Sequence, residues 1–208
     1  KDRNNFVNNS GLTRLFENIA PDQQFLIDMF HTQNGYEDFN RHPIKTFFLD
    51  IETYSPDEFP HPDIAKDPIN VITIYDSLRD HFISWGTKKL DKDIKNCTYA
   101  HCTSELQMLD CFLNYMENDY PDILTGWNSE FFDIPYIIMR INNVLGEDDV
   151  KRLSPVGNVY SVSRTGVFGK TQTRWYIKGV SCIDYLDVYK KFSIGLRESY
   201  KLDAIGEL

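Results

Sequence analysis

Long apolar runs are missing from this sequence of 208 residues. No stretch approaches the ~18 uncharged apolar residues that a membrane-spanning helix requires, so neither such a helix nor a membrane partner is expected. The amino-terminal stretch KDRNNFVNNSGL carries charge without a following apolar core, which excludes a secretory signal peptide. The sequence also lacks an initiator methionine, which suggests a fragment of a longer chain.

Cysteine is scarce, with four residues at positions 97, 102, 111 and 182. Cys97, His101 and Cys102 are close in sequence, as zinc ligands often are. No second Cys/His pair follows at the spacing of a zinc finger. We therefore expect free thiols in a reducing cytosol.

Basic residues are few in the first 150 positions, which carry 12 basic and 26 acidic side chains. Residues 151–191 reverse this balance, with eight basic and two acidic side chains. An acidic region that attracts cations, beside a basic segment, suits a site that handles a polyanion through metal ions. Ordinary variation of surface charge is the alternative explanation.

The apolar pattern divides the chain after His42-Pro43. Residues 1–43 mix polar turns with one amphipathic patch, LTRLFENI, and are interpreted as a remnant of a preceding domain or a linker. Three strands are predicted next, in IKTFFLDIE, INVITIYDS and HFISWG. Strands first and strand–helix alternation afterwards predict an α/β fold over residues 44–208, with a mixed sheet flanked by helices.

Two helices are predicted in the middle of the chain, separated by a short buried strand in DILTGWN. Ser104 and Gln107 form a capping box for the first. The second begins with Asp133 as its N-cap and ends before Gly146. The predicted core face of the first helix consists of Leu106, Leu109, Phe112, Leu113 and Met116.

The last third of the chain predicts a long basic β-hairpin at 159–180, because apolar and polar residues alternate on both sides of a glycine-containing tip. CIDYLDVYKKF then predicts a strand that runs into a helix. ESYKLDAIGEL predicts the start of another helix.

Two carboxylates interrupt the apolar run FFLDIETYSP. Asp50 and Glu52 are two residues apart on a predicted strand, so both side chains leave the same face. Like charges at this distance raise each other's pKa unless a cation lies between them, and hard oxygen ligands suit Mg²⁺ or Mn²⁺. The alternative is a strand end whose acids point into water.

The segment TGWNSEFFDIPY has the same build: an apolar strand, a loop, and a carboxylate at a helix start. Simple N-capping fully explains Asp133 in this position. Asn128 has two interpretations: it contacts a bound phosphate or orients a carboxylate, or it forms an Asx-turn after Gly126.

Together these segments resemble the first two motifs of the proofreading 3′–5′ exonuclease domain of family B DNA polymerases. The first motif, Asp-Ile-Glu, corresponds to Asp50-Ile51-Glu52. The second, Asn followed by Phe-Asp after a short spacer, corresponds to Asn128 and Phe132-Asp133. SPDEFPHP, INVITIYDS, ILTGWN, KRLSP and DYLDVYKKFS resemble, in the same order, polymerases of T-even-type bacteriophages over residues 44–208. The resemblance implies a ribonuclease-H-like fold and replication in the cytoplasm of an infected host cell.

The chemistry that the resemblance implies is two-metal-ion hydrolysis of the terminal phosphodiester at a primer 3′ end. Asp50 would bridge two Mg²⁺ or Mn²⁺ ions, Glu52 would bind the ion that activates water, and Asp133 would hold the other. The implied partners are DNA, the remaining polymerase domains, a sliding clamp and a single-strand-binding protein.

The resemblance also implies contacts to DNA. Phe59, in the loop after the first motif, would stack beside an unpaired 3′ base, with Phe132 and Asn128 of the second motif close by. The hairpin would help to separate the primer strand, with Arg164 and Lys170 on phosphates and Phe168 at the tip against a base. The alternatives are a Phe59 packed under its own loop and a hairpin that only stabilises the fold.

The family's third motif, Tyr-x₃-Asp on a helix, is not found in a suitable place. Tyr115 and Asp119 have this spacing but precede the second motif, so the chain is expected to stop before the third. The 208 residues are therefore expected to hydrolyse DNA poorly or not at all. Two alternatives remain: a free-standing exonuclease of the DEDD type, and a non-catalytic relative that binds nucleic acid.

Overall fold

The computed structural model describes residues 23–25, 27, 43–56, 58–165, 171–193, 197 and 199–206. The chain forms two compact units, Lys1–Pro43 and Ile44–Leu208. In the first unit, residues 23–25 and 27 are helical, and the amphipathic patch LTRLFENI lies outside the described residues. The assignment of residues 1–43 to a preceding domain or linker stays a prediction.

The second unit contains the strands β1 (Thr46–Thr53), β2 (Ile69–Asp76), β3 (His81–Gly86), β4 (Cys97–His101), β5 (Ile123–Gly126), β6 (Val159–Thr165), β7 (Thr171–Ile177) and β8 (Ser181–Asp184). Its helices are α1 (Glu105–Asn118), α2 (Asp133–Val144), α3 (Glu147–Val150), α4 (Tyr185–Phe192) and α5 (Leu202–Gly206), with a 3₁₀ turn at Lys151–Leu153.

Six strands form one mixed sheet in the order β4-β3-β2-β1-β5-β8. The β1-β2-β3 meander is antiparallel, whereas β5 is parallel to β1 and β8 is parallel to β5. The carboxyl ends of β1, β5 and β8 therefore lie at one end of the sheet. The sheet and its flanking helices confirm the predicted α/β, ribonuclease-H-like fold class, and β6 and β7 confirm the hairpin.

Alternating burial along β1 explains how the strand presents its acids. Phe47, Leu49 and Ile51 are buried in the core, whereas Phe48, Asp50 and Glu52 are exposed. Phe48 contacts Tyr185 of α4 at a ring-centroid distance of 6.1 Å, so α4 lies on the face of the sheet that carries Asp50.

Helix α1 begins as predicted, because the Ser104 side chain accepts a hydrogen bond from the Gln107 amide at 3.2 Å. The Gln107 side chain accepts from the Thr103 amide instead of the Ser104 amide. Most of the predicted core face is buried, but the inclusion of Leu106 is wrong, since that side chain is 54% exposed and Met108 is buried instead. Both positions are compatible with helical spacing, and the contact with the sheet decides between them.

Helix α2 ends near Gly146 as predicted, where the backbone has a φ of 118°. The prediction of Asp133 as N-cap is wrong: Phe132 holds the cap position, and Asp133 is the first helical residue. The Asp133 side chain instead accepts a hydrogen bond from β1, which competes with local capping.

Strand β4 was not predicted, because CTYAH has too few apolar residues to show alternation. It pairs with β3 at the edge of the sheet, and Cys97 lies at its start. All four cysteines are free thiols. Among the described residues, no helix is long and apolar enough to cross a membrane.

Candidate metal and nucleic-acid site

Asp133 lies directly beside the two acids of β1. Its Oδ1 accepts a hydrogen bond of 3.1 Å from the amide of Ile51, the residue between Asp50 and Glu52. Strand β5 pairs with β1 only at Thr46–Phe48, so it does not extend along β1 as far as this amide. The structure thus brings together three carboxylates from distant parts of the chain, and we call Asp50, Glu52 and Asp133 the three-acid site.

The electrostatics of the three-acid site are unfavourable for its negative charges. Burial, and then the nearby charge of Asp50, raise the pKa of Asp133 to about 7, although the Ile51 amide opposes the shift. Burial and the charge of Glu52 also raise the pKa of Asp50. Within the described residues, none of the three forms an ion pair with Lys, Arg or His.

The donor set is the one that hard divalent cations prefer, namely carboxylate oxygens. The described part of the chain nevertheless contains no group of three His, Cys, Asp or Glu side chains that is already arranged to hold a metal ion. Glu52 and Asp50 are exposed, whereas Asp133 is 4% exposed and hydrogen-bonded to β1. An ion bound here would therefore contact one buried, hydrogen-bonded carboxylate and two exposed ones.

The loop that leads to Asp133 requires a close approach between two strands. A Cβ on Gly126 would lie 2.4 Å from the Leu49 carbonyl oxygen, so no larger residue fits without movement. Asn128 has a φ of 61°, which asparagine tolerates better than most residues. Its carbonyl accepts from the amides of Phe131 and Phe132 at 3.2 and 3.1 Å, and this turn leads into α2.

Two phenylalanines named from the sequence lie beside the three-acid site. Phe59 is 80% exposed, and its ring centroid is 5.4 Å from that of Phe132, next in sequence to Asp133. The Phe132 ring in turn lies 5.5 Å from that of Tyr136. Phe59 is thus an exposed aromatic surface near the acids, and it is not packed under its own loop.

The loop that carries Phe59 is fixed to the helices behind it. The Arg140 guanidinium forms two bonds of 2.7 Å with the Glu105 carboxylate and donates to the carbonyls of Ala65 and Lys66 at 3.1 and 3.0 Å. The Tyr136 hydroxyl donates to the Asp67 carbonyl at 2.8 Å. These bonds restrict the loop on the side away from solvent.

The hairpin meets the loop between β5 and α2 through Arg174. This side chain lies 3.2 Å from the Glu130 carboxylate and 5.7 Å from the centre of the Phe131 ring. Arg164 is exposed on β6, opposite Gln172. Phe168 and Lys170 of the predicted tip lie outside the described residues. Arg174 and Glu130 were not named from the sequence, because no local pattern shows which loop a hairpin contacts.

Tyr115 and Asp119 do not form the missing third motif. The Tyr115 ring packs 5.8 Å from Phe47, and Asp119 pairs with Lys45 and Arg79 at the opposite end of the sheet.

Comparison with known proteins identifies the family of this chain. The sequence model of the family described as DNA polymerase family B, exonuclease domain, matches residues 16–205. The chain belongs to this family. The exonuclease domains of family B are metal-dependent in general, in accord with an acidic site.

The similar proteins include viral replication enzymes. The chain is 35% identical to a DNA-directed DNA polymerase of Escherichia phage RB69 over 92% of its length and 34% identical to one of Enterobacteria phage T4 over 81%. It is 27% identical to a DNA polymerase catalytic subunit of Saimiriine herpesvirus 2 over 82% of its own length. The chain spans only 24% and 21% of the two phage relatives.

Proposed function

We propose that this exonuclease domain removes mispaired nucleotides from the 3′ end of a primer, as part of a replicative DNA polymerase of the T-even phage type. The observation that carries the proposal is the three-acid site, in which carboxylates from two distant segments adjoin and form no ion pair with a cation among the described residues. The phage relatives are DNA-directed DNA polymerases, which supports DNA as the substrate and further polymerase domains as partners.

The three-acid site would hold two divalent ions, Mg²⁺ or Mn²⁺. Bound there, such ions lower the pKa of water and stabilise charge on the leaving 3′ oxygen. Asp133 is the fixed ligand, because its position is set by the Ile51 amide. Its raised pKa means that a cation must displace a proton from it near neutral pH.

The aromatic pair formed by Phe59 and Phe132 would receive the unpaired 3′ base. Stacking on an aromatic ring tolerates any base, which suits an enzyme that must accept every mismatch. Asn128 is placed at the turn before Phe132, and Arg164 lies on the hairpin where it would contact phosphate. Phe168 and Lys170 are proposed for the tip of the same hairpin.

The cellular location and the further partners are proposed from the similarity to phage polymerases. The parent enzyme would act in the cytoplasm of an infected host cell, with a sliding clamp and a single-strand-binding protein as partners. The third motif is expected in the parent enzyme, so the 208-residue chain should bind metal and single-stranded DNA but hydrolyse it poorly.

The test combines calorimetric titration of Mn²⁺ with a degradation assay on an oligonucleotide labelled at its 5′ end. Mn²⁺ binding should be lost in Asp50→Ala and retained in Asp63→Ala, which removes an exposed acid from the loop after β1. Equal binding by the two variants would refute the metal site. Rapid 3′–5′ degradation that needs Asp50 would instead favour a free-standing exonuclease, and DNA binding independent of metal would favour a non-catalytic relative.

A further inference from the structure

A fourth carboxylate lies at the same end of the sheet as the three-acid site. Asp184 ends β8, is paired in register with Gly126 at the end of β5, and is only 5% exposed. The three-acid site does not include it, and no sequence motif described above assigns it a role.

The two oxygens of Asp184 are occupied by backbone amides. Oδ1 accepts from Asn128 at 3.1 Å and from Leu186 at 2.9 Å, and Oδ2 accepts from Glu130 at 3.1 Å. A carboxylate whose oxygens accept several N–H bonds is held in a fixed orientation. Because both oxygens face these donors, Asp184 is not oriented to bind an ion.

Two of the three bonds hold the loop between β5 and α2. They fix the amides on either side of Ser129, whose carbonyl accepts from the Ile134 amide at 2.9 Å at the start of α2. Asp133 directly precedes Ile134 and reaches across to the Ile51 amide on β1. A short series of hydrogen bonds thus runs from Asp184, through the loop, to the buried member of the three-acid site.

We propose that Asp184 is a positioning residue, which holds the β5–α2 loop so that Asp133 is placed correctly against Asp50 and Glu52. Its benefit to metal binding rests on the proposed function, but its effect on the position of Asp133 does not. The third bond, to Leu186, caps α4 and offers a competing role that is only structural.

Asp76 is a matched control for Asp184. It is fully buried at the opposite end of the sheet and also accepts from two backbone amides, those of Leu78 at 2.9 Å and Arg79 at 3.2 Å. Replacing either Asp by Asn keeps the shape and substitutes an N–H donor for one acceptor oxygen. General destabilisation should therefore occur in both variants, and it should be at least as large in Asp76→Asn, which also weakens the ion pair with Arg79.

The experiment uses the 208-residue chain and its Asp184→Asn and Asp76→Asn variants. The first readout is the amide NMR signal of Ile51, which reports directly on the position of the Asp133 carboxylate. The second is Mn²⁺ affinity, followed by electron paramagnetic resonance. Asp184→Asn should shift the Ile51 signal, accelerate hydrogen exchange at Asn128 and Glu130, and weaken Mn²⁺ binding roughly 10- to 100-fold, as is usual for residues that support a ligand. Asp76→Asn should leave the Ile51 signal and the Mn²⁺ affinity unchanged.

A third variant separates the loop from the cap of α4. Leu186→Pro removes the N–H that caps α4, together with the leucine side chain, in a first helical turn where proline is tolerated, as Pro135 is in α2. It should leave the Ile51 signal in place. An Ile51 signal that moves in Leu186→Pro or in Asp76→Asn, or stays fixed in Asp184→Asn, overturns the proposal. Absence of Mn²⁺ binding by the unaltered chain would refute the proposed function, while the Ile51 signal would still decide the role of Asp184.

Discussion

At the end of the sheet where β2 turns into β3, Asp76 and Asp119 are paired with cations, whereas within the described residues the acids of the three-acid site, at the end where β1 stops, are not. Arg79 lies 2.5 Å from the Asp76 carboxylate and 2.6 Å from that of Asp119, and Lys45 also pairs with Asp119. We call these four residues the paired-acid end. In the three-acid site, the described residues provide no such partner.

The pKa values of the two ends move in opposite directions. Burial alone would raise the pKa of Asp119, but hydrogen bonds from Lys45 and Arg79 hold it below its ordinary value. Burial raises the pKa of Asp133 to about 7, and Asp50 adds to the shift. The same residue type in one sheet therefore stabilises the fold at one end and has a raised pKa at the other, and strongly shifted pKa values of this kind are frequent at functional sites.

The largest expected difference between the ends is in the pH dependence of stability. The pKa of Asp133 is about 7 in the folded chain and about 3.9 in an unfolded one. The folded state thus binds more protons between these values, and the free energy of unfolding should fall as pH rises from about 4 to about 7, by roughly 4 kcal/mol. Urea denaturation across this pH range should show no such fall in the free energy of unfolding of Asp133→Asn.

The paired-acid end supplies the control for that profile. Because the pKa of Asp119 is lowered, its contribution to stability is present above the unfolded pKa and is lost as pH falls through the folded one. Asp119→Asn should therefore remove stability at neutral pH that it does not remove in acid. Parallel profiles for the two variants would contradict the contrast between the ends.

Loss of a paired acid should be the next largest effect. Asp76→Ala leaves the Leu78 and Arg79 backbone amides without their side-chain acceptor and removes one of the two carboxylates that pair with the Arg79 guanidinium, so the free energy of unfolding should fall by about 2–3 kcal/mol. Chemical denaturation at pH 7 measures this. Asp63→Ala, an exposed acid, should change stability by less than about 0.5 kcal/mol.

The aromatic pair formed by Phe59 and Phe132 should allow the end of the sheet with the three-acid site to bind single-stranded DNA. Phe59→Ala should weaken binding of a single-stranded oligonucleotide by ~1–3 kcal/mol, because one base loses its stacking surface. Fluorescence anisotropy of the labelled oligonucleotide, in a buffer that contains Ca²⁺, measures this loss of binding. Phe192→Ala is the control, since that side chain is 74% exposed at the end of α4 and has no ring contact with Phe59 or Phe132. An equal loss in both variants would mean that Phe59 has no special role.

Much of this arrangement was predictable from the sequence, and the exceptions have a common cause. Strands β1 to β3 and helices α1 and α2 follow from apolar spacing, since burial of one face is a local property of the pattern. Asp50 and Glu52 share a face for the same reason. Leu106 was wrongly included in the core face and β4 was missed, because local spacing alone does not decide which of two compatible faces or edges the sheet covers.

The prediction of Asp133 as an N-cap was wrong, and Asp184 was not recognised from the sequence, for a different reason. Local rules place an aspartate before a helix as its N-cap, but the Ile51 amide offers Asp133 a stronger, long-range partner. Asp184 acts on backbone amides of a loop more than 50 positions earlier. Backbone amides have no signature in a sequence, so only the folded chain shows that these two acids are connected.

The smallest expected effect gives the most direct comparison, because an Asp→Asn substitution should change the free energy of unfolding in opposite directions at the two ends. Asp50→Asn removes a charge that opposes ionisation of Asp133, so it should raise the free energy of unfolding at pH 8 by ~0.5–1 kcal/mol. Asp119→Asn removes a carboxylate from two cations and should lower it. Saturating Mn²⁺ should remove the gain in Asp50→Asn, because the unaltered chain would then gain stability from the ion while the variant would not. If Asp50→Asn is destabilising in metal-free buffer, the carboxylate has a protein partner after all and is not held ready for an ion.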